Sequence, residues 1–179
     1  MEQKWQPASL TPQPVFGGAE LSALGGTPPD DPGLAITRRW ISPVAGTIEI
    51  KGTLVHEVIE KADEYRKPWS DGVRARIVVN RRDNVAERII NNGKSDVAVR
   101  ELAVKPGDSI DFAVDCVKDA ENDDFTWSPV ITLKSAGEQD KQKVWDSAKD
   151  FSGPPPVSLY AWEKYAQVLL QTSEFAFVD

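Results

Sequence analysis

The sequence predicts an all-β protein, an antiparallel β-sandwich of the jelly-roll, galactose-binding-like type with a short C-terminal α-helical appendage. Hydrophobic and polar residues alternate with a period of two through most of residues 39–133, and turn-forming residues divide that region into short segments. Strict alternation produces strands with one buried and one solvated face, which is how antiparallel sheets pack in a sandwich. Seven or eight short strands with turn signals between them are typical of that architecture.

The chain divides into three parts. Residues 1–36 are rich in Pro and Gly, which predicts a mostly irregular segment with one short edge strand within 19–24, packed on the body of the domain. Residues 37–135 form the sandwich module. Residues 136–179 contain a charged linker and a helix over 159–172.

The strands of the module follow from the alternation and from the turns between them. We expect strands at Thr37–Ser42, Thr47–Val55, Gly72–Asn80, Glu87–Asn91, Asp96–Val104, Ser109–Cys116 and Phe125–Lys134. In the second of these, Ile48 and Ile50 lie on one side while Glu49 and Lys51 lie on the other. Asn92-Gly93 and Pro106-Gly107 are among the turn signals that separate them. The C-terminal helix carries an apolar stripe that requires a docking surface; it consists of Trp162, Tyr165, Ala166 and Leu169.

Composition and charge exclude several classes of function. The formal net charge of -7 argues against a nucleic-acid partner, because binding phosphates requires a basic surface. No apolar run is long enough to span a membrane, and the chain has no signal peptide. The single cysteine, Cys116, excludes an intramolecular disulfide and is expected to be a small buried hydrophobe.

Exposed aromatic residues provide one candidate binding site. A pyranose ring stacks its C–H groups on a Trp or Tyr face, while neighbouring polar groups bond its hydroxyls. Trp69, in the loop Pro68-Trp-Ser-Asp-Gly, is the best such platform, with Tyr65 behind it. The candidate polar partners are Asp71, Arg74 and Arg76. Trp40 and Trp127 have apolar strand neighbours and are expected in the core.

The polar faces of several strands provide a second candidate. If these strands are neighbours, their charged side chains would form one mixed-charge patch for a charged or hydroxyl-rich ligand; its members would be Glu49, Lys51, Arg74, Arg76, Asp111 and Asp115. The simpler interpretation is ordinary cross-strand ion pairing on a solvent face.

An acidic loop between the last two predicted strands is a candidate calcium site, since Ca²⁺ takes several hard oxygen ligands. Its candidate ligands are Asp119, Glu121, Asp123 and Asp124. The loop lacks the central Gly and terminal Glu of a twelve-residue calcium loop. A solvated hairpin loop is the simpler interpretation.

No catalytic constellation is evident. His56 is the single histidine and has no Ser or Cys partner at a recognisable spacing. Glu57 and Glu60 lie in a long insert, which is a poor scaffold for two carboxylates at a fixed separation. We therefore expect that the protein is not an enzyme.

Four segments of the module resemble a protein family: Arg38-Arg-Trp-Ile-Ser-Pro-Val-Ala-Gly-Thr47, Asp71-Gly-Val-Arg-Ala-Arg-Ile-Val78, Pro106-Gly-Asp-Ser-Ile-Asp-Phe-Ala-Val-Asp115 and Asp124-Phe-Thr-Trp-Ser-Pro-Val-Ile131. Together with the terminal stretch 159–179, they are similar to the C-terminal region of planctomycete multidomain proteins that contain a planctomycete-type cytochrome c domain. The resemblance implies a fragment of a larger exported protein with a carbohydrate-binding-module-like sandwich. The haem attachment motif Cys-x-x-Cys-His is absent, so no haem is expected here.

The sequence thus predicts a non-catalytic carbohydrate-binding-like module that binds polysaccharide weakly and lies outside the cytoplasm. The alternative is a structural module that packs against the other domains of its parent protein and has no glycan ligand. Neither interpretation includes a cofactor other than structural calcium.

Overall fold

A computed structural model describes residues 4–5, 17–56, 69–135 and 144–150. Within these ranges the strands are β1 (Lys4–Trp5), β2 (Glu20–Ser22), β3 (Gly25–Thr27), β4 (Ile36–Ile41), β5 (Gly46–His56), β6 (Val73–Val79), β7 (Asp83–Ile90), β8 (Gly93–Val104), β9 (Ser109–Cys116), β10 (Phe125–Trp127), β11 (Val130–Ser135) and β12 (Val144–Asp146). One four-residue helix, α1 (Ser147–Asp150), follows β12 in the described part of the chain.

The strands form two antiparallel sheets. The first sheet runs β1-β2-β3-β10-β5-β11-β12, with β8 on the other side of β5, and the second runs β4-β9-β6-β7. The eleven-residue β5 is the centre of the first sheet, because β8 pairs along one side of it while β10 and β11 share the other. The prediction of an all-β antiparallel sandwich is confirmed. The predicted helix over 159–172 lies outside the described residues.

The core lies between the sheets and is built from the inward side of the alternation. Ile48, Ile50 and Leu54 of β5 are fully buried, as the period-two pattern predicts. Gly52, on the same side, leaves room for Trp127, because a Cβ atom at Gly52 would lie 2.8 Å from the indole Nε1. Trp127 also meets Phe112 of the second sheet edge to face, with ring centroids 5.7 Å apart. This contact joins the two sheets.

Two predicted strands are each replaced by a pair of strands, and the strand predicted at Glu87–Asn91 begins earlier, as β7 at Asp83–Ile90. The segment Phe125–Lys134 is two strands, β10 and β11, interrupted at Ser128-Pro129. Proline has no backbone N–H for the ladder, so the strand breaks there. The predicted edge strand within 19–24 is instead a hairpin of β2 and β3. Ser22 Oγ accepts the backbone N–H groups of Leu24 and Gly25 at its turn.

Strand β9 also departs from the predicted alternation. All eight of its residues are buried, although Asp111 and Asp115 were expected on a wet face. β9 lies between β4 and β6, and arginine side chains from both neighbours bond its outward carboxylates. The polar face of this strand is therefore covered by charge partners.

Candidate functional site

Several loops meet at one end of the sandwich. Val73, the first residue of β6, pairs with Ile90 at the end of β7 and with Cys116 at the end of β9. His56, the last residue of β5, pairs with Gly93 and Phe125. The connections at this end are residues 69–72, 91–92 and 117–124. The candidate platform Trp69 belongs to the first of these.

His56 is completely buried and holds these three connections together. Its Nδ1 accepts the backbone N–H of Asn92 at 2.9 Å. Its Nε2 lies 3.1 Å from the carbonyl oxygen of Asn122 and 3.2 Å from Ser70 Oγ. A backbone N–H only donates, so Nδ1 carries no proton in this arrangement. The ring proton of a neutral imidazole is then on Nε2, where the Asn122 carbonyl accepts it.

Ser70 and Asp123 complete this buried cluster. Ser70 Oγ donates to Asp123 Oδ1 at 2.5 Å and accepts the Gly72 backbone N–H at 2.9 Å. In a nucleophilic triad the serine hydroxyl instead donates to an unprotonated histidine nitrogen, and the carboxylate bonds the far side of the ring. Here both Ser70 and Asp123 lie on the Nε2 side of His56. In this arrangement the Ser70 hydroxyl donates to Asp123 and not to His56, and the cluster holds the loops together.

The loop held by this cluster exposes Trp69 and buries the carboxylate of Asp71. The Trp69 residue is 43% exposed, and its carbonyl accepts the Asn122 side-chain amide at 3.0 Å. Both carboxylate oxygens of Asp71 are shielded from solvent and lack a well-formed hydrogen bond. Burial and then the neighbouring Asp123 raise the pKa of Asp71. A carboxylate in that position does not present itself to a ligand, in contrast to its predicted role. Tyr65 lies outside the described residues.

Arg74 and Arg76 lie on the outer face of the second sheet, where they share one buried carboxylate. Asp115 Oδ1 accepts from Arg74 Nε at 2.9 Å, and its Oδ2 accepts from Arg76 Nη2 at 2.5 Å. The Asp115 side chain is fully buried, whereas the two arginine side chains are 32% and 31% exposed. The hydrogen bond to Asp115 raises the pKa of Arg74. Both arginine side chains are therefore fixed in position with about a third of their surface in solvent.

A second ion pair extends this face across β9. Arg39 of β4 bonds both oxygens of Asp111, with Nε–Oδ1 at 2.6 Å and Nη2–Oδ2 at 2.8 Å. The bidentate pair is aligned by the register, since Arg39 lies directly opposite Asp111. With Arg74, Arg76 and Asp115, the two ion-paired groups contain three arginines and two aspartates. Glu87 of β7 lies directly opposite Arg76 and adds a third acid beside the three arginines.

The six-residue charged patch considered from the sequence divides between the two sheets. Glu49 lies on β5 of the first sheet and pairs there with Lys51 at 3.0 Å and Lys134 at 2.8 Å. The arginines and their aspartates all lie on the second sheet. The condition for one continuous patch, that all these strands are neighbours, is not met, because the members belong to different sheets. The arginines and aspartates form cross-strand ion pairs, which is the simpler interpretation of the sequence.

Three of the four candidate calcium ligands, Asp119, Asp123 and Asp124, accept hydrogen bonds from separate partners. Asp119 Oδ1 accepts the Glu121 backbone N–H, Asp123 bonds Ser70, and Asp124 Oδ1 accepts Thr27 Oγ1 at 2.5 Å. Over residues 17–56, 69–135 and 144–150, no group of three or more His, Cys, Asp or Glu side chains is arranged to hold a metal ion. Likewise, no helix of the described segments is long and apolar enough to cross a membrane.

The structural centre of this site was missed by the sequence analysis, which considered His56 only as a catalytic base. The sequence contained one signal of this arrangement, an asparagine in each of two turns. Asn92 and Asn122 both have positive φ, 50° and 61°, a conformation that Asn tolerates better than most residues. Their turns present one backbone N–H and one backbone carbonyl to the two nitrogens of the same ring.

Comparisons with known proteins give distant structural likenesses. No family model and no curated protein matches the chain. The chain is similar to part of the Podospora anserina GH26-CBM35 beta-(1,4)-mannanase, with 15% identity and a TM-score of 0.33 over 72% of this chain and 25% of the mannanase chain. It is also similar to the PA14 domain of the antifreeze protein MpAFP, with 16% identity and a TM-score of 0.38 over 82% of this chain and 86% of that one. The chain thus spans a quarter of the mannanase.

Proposed function

We propose that the protein is a non-catalytic module that binds polysaccharide weakly through Trp69, Arg74 and Arg76. The observation that carries the proposal is the exposure of Trp69 on a loop that a fully buried histidine cluster holds in place. An aromatic ring fixed at the surface can stack on a sugar without losing the conformational freedom of a mobile loop.

The arginines supply the polar half of such a site. Arg74 is the second residue of β6, so it follows the Trp69 loop directly along the chain, and Arg76 lies two residues further on the same face. Their shared carboxylate fixes both guanidinium groups before a ligand arrives. N–H groups that Asp115 does not use are donors for hydroxyl or carboxylate oxygens. Guanidinium groups of this kind can bond both the hydroxyl and the acidic groups of a sugar.

Affinity electrophoresis of the wild type and of Trp69→Ala in gels containing neutral, acidic or sulfated polysaccharide tests this function. A single shallow site of this kind is expected to have a Kd of about 10 µM to 1 mM. Trp69→Ala should abolish retention and leave the melting temperature nearly unchanged. Val144→Ala is the matched control, since Val144 is 54% exposed on β12 and its truncation should leave retention intact. If Trp69→Ala unfolds easily, the residue is part of the core and the platform is wrong.

A structural module is the second candidate, and the apolar residues of the same face favour it. Ile41 and Ile89 are 52% and 56% exposed on the outer side of the second sheet. Such side chains contribute to domain packing more than to sugar recognition. If no polysaccharide retards the wild type, this interpretation replaces the first.

We further propose that the module belongs to a larger protein located outside the cytoplasm, and that its partners are glycans and the other domains of that parent. The resemblance of residues 38–131 and 159–179 to planctomycete multidomain proteins supports this proposal. The genomic reading frame upstream of the Met1 codon tests it: an in-frame export signal and further domains are expected, and an immediate stop codon would contradict the proposal.

A further inference from the structure

A cavity of about 150 Å³ lies between the edge strand β4 of the second sheet and strands β11 and β12 of the first. Its apolar walls are Trp40, Phe112, Pro129, Ile131 and Trp145. Trp40 and Trp145 meet with ring centroids 5.0 Å apart and an interplanar angle of 62°. Apolar cavities of about this volume accommodate one six-membered ring.

This cavity is separate from the Trp69 loop. Trp40 pairs with Ile110, near the start of β9, whereas the Trp69 loop leads to Val73, which pairs with Cys116 at the other end of β9. Eight strand residues at about 3.3 Å each separate the two ends of β9 by more than 20 Å. A ligand in the cavity therefore does not contact the proposed glycan platform.

One wall of the cavity contains a buried cation with no acidic partner. Arg38 is 3% exposed and donates from Nη1 to the Ala23 carbonyl at 2.8 Å and from Nη2 to the Trp127 carbonyl. Its Nε has no hydrogen-bond partner, and no carboxylate of the described residues forms an ion pair with it. Burial lowers the pKa of Arg38 to about 10. A buried charge of this kind is stabilised when an opposite charge comes close to it.

Most other polar groups of the wall have a hydrogen-bond or ion-pair partner, and one does not. Arg39 is neutralised by Asp111. Asp146 pairs with Lys149 and also accepts the Ala148 N–H, and Asp150 accepts the Asp146 N–H. Ser147 Oγ, by contrast, is buried without a partner. Each acid of the rim thus accepts a hydrogen bond, while Arg38 Nε and Ser147 Oγ have no acceptor.

We propose that this cavity binds a small ring compound that carries a carboxylate, with the ring against Trp40 and Trp145 and the carboxylate towards Arg38 and Ser147. The carboxylate supplies the acceptor that Arg38 Nε and Ser147 Oγ lack, and it neutralises the buried guanidinium. The same chemistry is present in an aromatic acid and in a uronic acid, the acidic end unit of some polysaccharides. The site does not depend on the glycan face at Trp69.

Titration of the full chain with benzoate and with glucuronate, followed by the indole N–H resonances of Trp40 and Trp145, tests the site. We expect at least one of the two to bind with a Kd of about 1 mM, since ligands of this size reach only modest affinity. The neutral analogues benzyl alcohol and methyl glucoside should bind at least about tenfold more weakly. Binding of benzoate alone indicates an aromatic acid, and binding of glucuronate indicates a uronic acid.

Two variants localise the binding without removing the Arg38 bonds between the sheets. Trp145→Ala and Ser147→Ala should each raise the Kd about tenfold, because the first removes the ring contact and the second a donor. Trp69→Ala should leave the Kd unchanged, which separates this site from the proposed glycan platform. The proposal is overturned if neither acid shifts the two indole resonances, if the neutral analogues bind equally well, or if Trp69→Ala alone abolishes binding.

Discussion

Asp115 and Asp123 are both fully buried, yet their surroundings are opposite in kind. Asp115 lies on β9 between two arginines, so its charge is neutralised by cations that reach solvent. Asp123 lies in a loop beside a hydroxyl and an imidazole, and one of its oxygens has no partner. Asp115 fixes two partly exposed arginine side chains on the outer face of the second sheet. Asp123 holds a loop by hydrogen bonds within the protein.

The two parts of the proposed glycan site, the Trp69 ring and the arginines, therefore depend on different buried aspartates. The position of Trp69 depends on the His56 and Asp123 cluster, since Asn122 bonds both His56 and the Trp69 backbone. The position of the arginines depends on Asp115. Substitutions in the two clusters should therefore separate loop order from surface charge.

The largest effect is expected from His56→Ala. The change leaves a cavity and removes the hydrogen-bond partners of the Asn92 N–H and the Asn122 carbonyl, and buried groups without partners are costly. We expect a loss of about 3–4 kcal/mol in the free energy of unfolding, measured by chemical denaturation. Thr53→Ala on the same strand, which removes only an exposed hydrogen bond to Asp96, should cost less than about 0.5 kcal/mol. Similar values for both variants would contradict the role of His56.

Asp115→Ala should have the next largest effect. Removing one partner of a fully buried ion pair costs about 3–5 kcal/mol. Here the two arginine side chains are about a third exposed, so the released guanidinium groups can regain water and we expect about 2–3 kcal/mol. The indole N–H resonance of Trp69 should be unchanged, because the loop has its own cluster, whereas His56→Ala should shift it. A shift from Asp115→Ala as large as that from His56→Ala would show that the two regions are coupled.

Asp71→Asn should have the smallest effect on the free energy of unfolding, and it should increase that free energy instead of lowering it. Burial raises the pKa of Asp71 above the value of about 3.9 for an unfolded aspartate. Between those two values the folded state binds more protons than the unfolded state, so stability falls as pH rises through that interval and stays lower above it. Asp71→Asn should remove this loss and stabilise the protein at pH 7 by less than about 1 kcal/mol.

Denaturation of wild type and Asp71→Asn at a series of pH values measures that effect. The two stability curves should converge below pH 4 and separate as pH rises. A variant that is less stable than the wild type at pH 7 would mean that the ionised Asp71 has a stabilising partner.

The candidate site could be predicted only in part. Trp69 is exposed in a loop and Arg74 and Arg76 share a face, as the sequence indicated. The burial of the Asp71 carboxylate was not predictable, because it depends on loop 117–124, which is distant in sequence. Its neighbour Ser70 likewise bonds Asp123 across 53 positions of the chain.

The sequence by itself determined where most strands lie and which way their side chains point. Period-two alternation is a local property, and it located β9 at Ser109–Cys116 and the buried side of β5 at Ile48, Ile50 and Leu54. Which strands are neighbours was decided only by the tertiary structure. Glu49 and Arg74 have the same local pattern yet lie in different sheets, and Asp115 is buried because β4 and β6 flank β9. The physical reason is that strand pairing joins residues far apart in sequence, whereas alternation reports only whether a residue faces inwards or outwards.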